Sequence, residues 1–184
     1  MFDIATAIAK VKSLKRASFD ETLEIHVQHA AGNLSGSVVL PCGHGKDLKV
    51  VCFVEGNDII QARQAGAVDV GSDDLADRIR NGTTKFDTVV AHPKMMRVVG
   101  RLGSLLKDKM PNPLHGSIST EIDQAVAEAR FKRVVYKSDG KGTLNARFGK
   151  RSMSDRDLND NLKVFLDHIE EKTDIIGASI SATM

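Results

Sequence analysis

Leu48-Lys49-Val50-Val51-Cys52-Phe53-Val54 is the stretch that decides the fold. Only Lys49 interrupts its apolar character, as expected of a strand covered on both faces in a parallel sheet. Reading forward, Asp58 starts a short helix closed by Gly66, and Ala67-Val68-Asp69-Val70 makes a brief strand. Ser72 caps a helix that carries Leu75 and Ile79 and stops near Gly82. Phe86 to Ala91 is another buried strand, and Met95, Val99, Leu102 and Leu106 mark a further helix. Strand alternating with helix in this way predicts a small Rossmann-like three-layer α/β domain.

Reading backward, the pattern changes. Ile4, Ile8 and Val11 lie on one helical stripe behind Asp3. From Thr22 to Gln28 the chain alternates strictly: Leu23, Ile25 and Val27 face one way, and Glu24, His26 and Gln28 the other. That is a half-buried strand. A turn at Gly32-Asn33 leads to a second short strand, Ser37 to Leu40.

The C-terminal third supplies what this opening lacks. After the loop Met110-Pro111-Asn112-Pro113, Thr120 to Asp123 forms a capping box for a helix bearing Ile122, Val126 and Ala129. Two basic strands, Phe131–Tyr136 and Thr143–Phe148, are joined by the turn Ser138 to Gly142. Ser154 with Asp157 caps the longest helix, with the stripe Leu158, Leu162, Phe165, Leu166 and Ile169. Ile176, Ala178, Ile180 and Ala182 alternate in a last strand. The two ends of the chain are therefore expected to form one discontinuous α+β domain, 1–42 with 117–184, an antiparallel sheet plus helices. The Rossmann-like domain, 43–116, is inserted into it, and the two crossings, near Pro41-Cys42 and Gly116–Glu121, act as a hinge.

Composition narrows the function. Apolar residues make up 41% of the 184 and charged residues 27%, an ordinary soluble balance. Net charge is only +2, yet between Arg130 and Arg151 there are eight basic residues against one acid, Asp139. The stretch Gly43–Asp123 instead balances eleven against eleven. Cys42 and Cys52, the only cysteines, read as reduced and buried thiols. No apolar run approaches the roughly 18 residues of a membrane span. The start, MFDIATAIAK, lacks a signal-peptide layout, so the expected compartment is cytoplasmic, or the matrix of an organelle for a processed form.

Tests for catalysis fail. Gly43-His44-Gly45-Lys46 resembles the end of a phosphate loop, but Leu40 stands where the first glycine belongs and Asp47 where the Mg²⁺-binding hydroxyl belongs. No dinucleotide fingerprint joins a strand to a helix: Gly100-Arg101-Leu102-Gly103 sits within a helical pattern. The six histidines, His26, His29, His44, His92, His115 and His168, show no metal-ligand spacing. No catalytic residue, metal or cofactor is expected. The basic strands 130–151 are a better lead, as a surface that neutralises phosphates, against the bland alternative of a solvated sheet face. Phe19, beside Lys15 and Arg16, is either a buried strand-start residue or an exposed ring that packs on a base.

Several segments together resemble the large-subunit ribosomal protein L-one family, which builds the mobile lateral stalk at the tRNA exit site. Phe19-Asp20-Glu21-Thr22-Leu23-Glu24 is similar to its F-D-E-T-V-E, and Val38 to Lys46 to its V-V-L-P-H-G-x-G-K. Ala65 to Gly71, Phe86 to Pro93, Met110 to Pro113, Gly149 to Met153 and Ser181 to Met184 match further family segments in order. The resemblance implies no enzyme but a ribosomal RNA-binding protein, with exit-site tRNA and its own messenger RNA as further partners. It also implies no membrane association and a monomer when free. Carried over by position, RNA contacts fall on Phe19, Thr22, Glu24, Asp139, Thr183 and Met184, with Lys141, Lys150 and Ser152 beside them. Phe19 and Met184 would pack on sugar and base surfaces; Thr22, Glu24, Asp139 and Thr183 would bond 2′-hydroxyls. Lys150 and its basic neighbours would set the salt-dependent part of affinity. The chain departs from the family in lacking a basic N-terminal extension, in a shorter segment after His29, and in a loop reduced to Lys107-Asp108-Lys109. Gly140 stands where a basic residue is common. Two other readings remain open at this stage: a nucleotide-binding α/β enzyme and a protein-interaction module, the latter predicting an exposed apolar patch.

Overall fold

A computed structural model describes residues 3–14, 18–30 and 32–183. In chain order the first elements are α1 (Ile4–Ser13), β1 (Thr22–His29), β2 (Ser35–Val39), β3 (Val50–Phe53), α2 (Asp58–Gln64), β4 (Asp69–Gly71) and α3 (Asp73–Arg80). There follow β5 (Thr88–Ala91), α4 (Met96–Gly100), α5 (Gly103–Leu106), α6 (Ile122–Phe131), β6 (Arg133–Lys137), β7 (Thr143–Lys150), α7 (Asp155–Glu170) and β8 (Ile175–Thr183). Contacts divide the chain into two compact units, 1–46 with 132–184, and 47–131.

In the first unit β1 is the middle strand of an antiparallel sheet ordered β7-β1-β8. Its alternation becomes two faces. Leu23, Ile25 and Val27 are buried, whereas Thr22, Glu24 and His26 are half-buried and Gln28 is exposed. The inward row joins Ile8 of α1, Phe148 of β7 and Leu158, Leu162, Phe165 and Ile169 of α7 in one core. Each such aliphatic or aromatic side chain contributes roughly 1.5–3 kcal/mol by leaving water. The Ser154 hydroxyl accepts the Asp157 N–H at 3.1 Å, so α7 begins where the sequence places it.

The two basic strands do not form one sheet. β6 pairs with β2, β7 pairs with β1, and between them only the bridge Ser138–Leu144 remains. The cations of 130–151 are thereby divided: Arg133 and Lys137 go with β2, Arg147 and Lys150 with β1. Register explains the split. Val134 and Tyr136 turn into the core shared with Leu144, Ala146 and Phe148, so β2-β6 and β7-β1-β8 are separate sheets over one core.

In the second unit β3 lies between β4 and β5, all parallel. Val50, Cys52 and Val54 pack on α2 and α6, while Val51 and Phe53 pack on the side of α3, α4 and α5. Hence the unbroken apolar run: both faces are covered. The stripe of Met95 to Leu106 is not one helix, because α4 ends at Gly100 and α5 restarts at Gly103, where the missing side chains leave the backbone free to turn. Ser72 does not cap α3 with its hydroxyl; its N–H instead donates to the Asp74 carboxylate at 2.9 Å.

The second unit begins at 47 and ends at 131, not at 43 and 116. Helix α6 accounts for the later end, since Ile122, Ala125, Val126 and Ala129 bury against Val50, Cys52 and Val90. Arg130 closes the unit by donating to Asp47 through Nε at 3.0 Å and Nη2 at 2.8 Å. Of the two cysteines, Cys52 is buried, with its thiol pushed up to about 12 by that burial, but Cys42 is exposed. Cys42 lies in the exposed part of the loop between β2 and β3.

Candidate nucleic-acid interface

The outward face of β7-β1-β8 is a continuous polar surface. Thr22 stands between Lys150 and Thr183, Glu24 between Arg147 and Ser181, and His26 between Asn145 and Ser179. Gln28 stands between Thr143 and Gly177. His26 is fixed at the centre: its Nδ1 pairs with Asn145 Oδ1 at 2.6 Å and its Nε2 with Ser181 Oγ at 2.7 Å. Hydroxyls, amides, an imidazole, a carboxylate and two cations in one half-buried or exposed sheet can donate to and accept from sugars and phosphates.

At one end of this face the chain folds into a clasp. Phe19 is 55% exposed, so its ring belongs to the surface and not to the core. Behind it, Asp20 accepts the Ser152 N–H at 3.0 Å and the Ser152 hydroxyl at 2.8 Å. Lys150 Nζ donates to the Asp20 carbonyl at 3.0 Å and to Thr22 Oγ1 at 2.9 Å. Two of its three N–H donors are thus used within the protein. Glu21 is 2% exposed and pairs with Arg151, whose guanidinium also donates to the Lys12 carbonyl.

The loop Pro41–Lys46 supports the clasp. Gly45 has φ +72° and lies under the stem of Lys150, where a Cβ would come within 2.5 Å of Lys150 Cγ. Asn161, fully buried on α7, accepts the Cys42 N–H at 3.0 Å and donates to the Gly43 carbonyl at 2.7 Å and the Phe148 carbonyl at 2.9 Å. The segment that looked like a phosphate loop is therefore a seat for a lysine side chain. His44, buried there, is held below its ordinary value by burial first and by Arg147 second.

The nine expected RNA residues do not all come together. Phe19, Thr22, Glu24, Lys150, Ser152 and Thr183 gather at the clasp end. Asp139 and Lys141 lie in the turn before β7, at the other end of an eight-residue strand, roughly 24 Å away at about 3.4 Å per residue. The Asp139 carboxylate accepts the N–H groups of Lys141 at 2.9 Å and Thr143 at 3.0 Å, and those bonds hold it below the usual carboxylate range. It shapes the turn that Gly140 and Gly142 make possible with φ of +77° and +82°. Met184, like Lys15 and Arg16, falls outside the described residues.

Sequence reasoning missed the middle of the face: His26, Asn145, Ser179 and Ser181. Their signal was present in the outward parity of β1, which places whatever pairs with Glu24, His26 and Gln28 on the same surface. Among the described residues no group of three His, Cys, Asp or Glu side chains is placed to hold a metal ion, and no helix is long and apolar enough to cross a membrane.

Comparison with known proteins follows the same lines. A family model described as the ribosomal protein L1p/L10e family matches residues 7–184. The large ribosomal subunit protein uL1 of Janthinobacterium sp. (strain Marseille) is 39% identical over 173 residues, which cover 90% of this chain and 75% of that protein.

Proposed function

The chain belongs to the ribosomal protein L1p/L10e family, a structural and non-enzymatic family, and from that premise we propose that it binds large-subunit ribosomal RNA of the lateral stalk. The contact surface is the outward face of β7-β1-β8 with Phe19 at its rim. The observation that carries this reading is the pairing of an exposed aromatic ring with an unbroken polar sheet face. Rings stack on unpaired bases, and hydroxyls with carboxylates read the 2′-hydroxyls that distinguish RNA from DNA. Thr22, Glu24 and Thr183 are the hydrogen-bonding residues, with Met184 a second apolar contact. Arg147 and Lys150 meet phosphates, while Asp139, Lys141 and Ser152 contribute at the two ends. No step of catalysis is required of any residue. The site of action is the cytoplasmic ribosome, next to the tRNA exit site, where the protein aids release of deacylated tRNA. Its own messenger RNA is a competing ligand for the same face, which makes it a translational repressor.

The test is binding to a stalk-type ribosomal RNA fragment and to a scrambled hairpin across a salt series. The stalk fragment is expected to win by on the order of a hundredfold, about 2.7 kcal/mol, and Phe19→Ala to narrow that margin about tenfold, within the stacking range. Equal, weak binding of both RNAs would overturn the reading.

A further inference from the structure

Resting on the RNA-binding reading, we propose that Asp20 and Glu21 are positioning residues: they hold Phe19 and the start of β1 in the conformation that RNA requires. Two acids at the rim of an RNA-binding face are at first sight misplaced, since a free carboxylate repels phosphates. Neither is free. Both oxygens of Asp20 accept from Ser152, its carbonyl accepts from Lys150, and Glu21 is buried against Arg151. The Glu21 carbonyl also accepts the Arg151 N–H at 3.0 Å. The two residues that follow Phe19 are thus tied through side chain and main chain to one turn, 150–152.

Phe19 needs that help. Its ring is more than half exposed, so core packing does not set its direction; the backbone does. A ring on a loose segment loses conformational freedom when it stacks, and each residue ordered beforehand is worth roughly tenfold in affinity. The clasp makes that ordering part of folding. It also spends the charge of Arg151 and two donors of Lys150 on Glu21, Asp20 and Thr22, so these two cations serve shape before phosphate attraction.

Asp20→Asn and Asp20→Ala separate shape from charge, because each removes one negative charge. An asparagine keeps the clasp: its Oδ1 accepts the Ser152 N–H, and its Nδ2 donates to the Ser152 hydroxyl. An alanine keeps neither bond. Selectivity for the stalk-type fragment over the scrambled hairpin is expected to stay within about twofold in Asp20→Asn and to fall about tenfold in Asp20→Ala. Both variants should bind the scrambled hairpin as well as the parent or better. A second readout needs no RNA. The chain has no tryptophan, so the indole of a Phe19→Trp variant reports alone, and its fluorescence anisotropy decay should quicken when Asp20→Ala is added but not Asp20→Asn. If the two Asp20 variants lose or gain selectivity equally, charge rather than position is what Asp20 supplies, and the proposal fails. If the parent protein does not discriminate between the RNAs while the anisotropy result holds, the RNA reading has failed and the clasp is a structural feature only.

Discussion

Two of the three sheets among the described residues use similar strands to opposite ends. In β3 all four residues, Val50 to Phe53, are buried, because α2 and α6 cover one face and α3 to α5 the other. In β1 burial alternates, because α1 and α7 cover one face and leave the second to water. A sheet covered twice has no surface on which to display chemistry; its side chains are fully occupied with packing. A sheet covered once must present a polar row at every second position, and three paired strands turn those rows into an area. An area of polar side chains open to another molecule is therefore offered by the half-covered sheet, while the side chains of the fully covered one are taken up in two cores.

The strongest way to break this contrast is to damage the covered sheet and see what survives. Phe53→Ala removes a ring with no exposed surface and should destabilise the second unit by about 3–5 kcal/mol. Urea unfolding measures that loss. RNA selectivity, measured below the new unfolding transition, should stay within about twofold if recognition belongs to the first unit. Loss of selectivity with the first unit still folded would show that the second sheet contributes to recognition.

Within the first unit, Asn161→Ala probes how the polar face is supported from below. The substitution leaves the Cys42 N–H and the Gly43 and Phe148 carbonyls without their side-chain partner in a buried site. The expected cost is about 2–3 kcal/mol in thermal or urea unfolding. A loss under about 1 kcal/mol would mean that water replaces the amide and that the Pro41–Lys46 loop is not pinned as described.

What the sequence disclosed follows the same contrast. Period-two alternation in Thr22–Gln28 and the run Leu48–Val54, interrupted only by Lys49, are direct imprints of one covered face and of two, so the central strands of these two sheets were legible. The stripe on α7 was legible for the same reason. Partnership was harder. Nothing local in Arg133–Lys137 or Thr143–Lys150 says that these neighbours join different strands, since that is decided by where Val134 and Tyr136 must point in the assembled core. The end of the second unit was misplaced because α6 has an ordinary amphipathic pattern, which does not say which sheet it covers. In the candidate interface, Phe19 stood out as an aromatic beside two cations, whereas Thr22 and Glu24 came from family resemblance. His26 and Ser181 needed the register of β1 with β8, a pairing across more than 150 residues of chain. The clasp was invisible, because Asp20 and Ser152 meet only when the turn at 150–152 is built.

A smaller effect sharpens the contrast in charge. Arg147 and Arg97 are both exposed, one on the outward row of the half-covered sheet and the other on α4 of the second unit. Arg147→Ala should weaken stalk-type and scrambled RNA alike and reduce the slope of log affinity against log salt by about 0.7–0.9. Arg97→Ala should leave the slope unchanged. Equal changes from both would mean that phosphate contacts spread over both units.

The smallest expected effect concerns His44, a titrating group in the loop beneath the face. His44 is 5% exposed and its Nδ1 accepts the Lys46 N–H at 3.3 Å, a contact only an unprotonated nitrogen makes. Burial and then Arg147 lower it from the ordinary 6.5. A lowered value means that the unfolded chain takes up a proton near pH 6.5 while the folded protein does not. The stabilising contribution is then complete above that pH and is lost as pH falls through the folded value. His115 and His168 are lowered by burial too and act with the same sign, so a pH profile of the parent protein sums all three. His44→Gln isolates one. A glutamine retains an acceptor for the Lys46 N–H but does not titrate, so its unfolding free energy should fall less steeply than the parent's as pH is lowered from 7 towards 5. Identical slopes would mean that His44 is protonated as readily in the folded protein as in the unfolded chain. The loop would then be open to water, and the seat it provides for Lys150 would be looser than the packing at Gly45 requires.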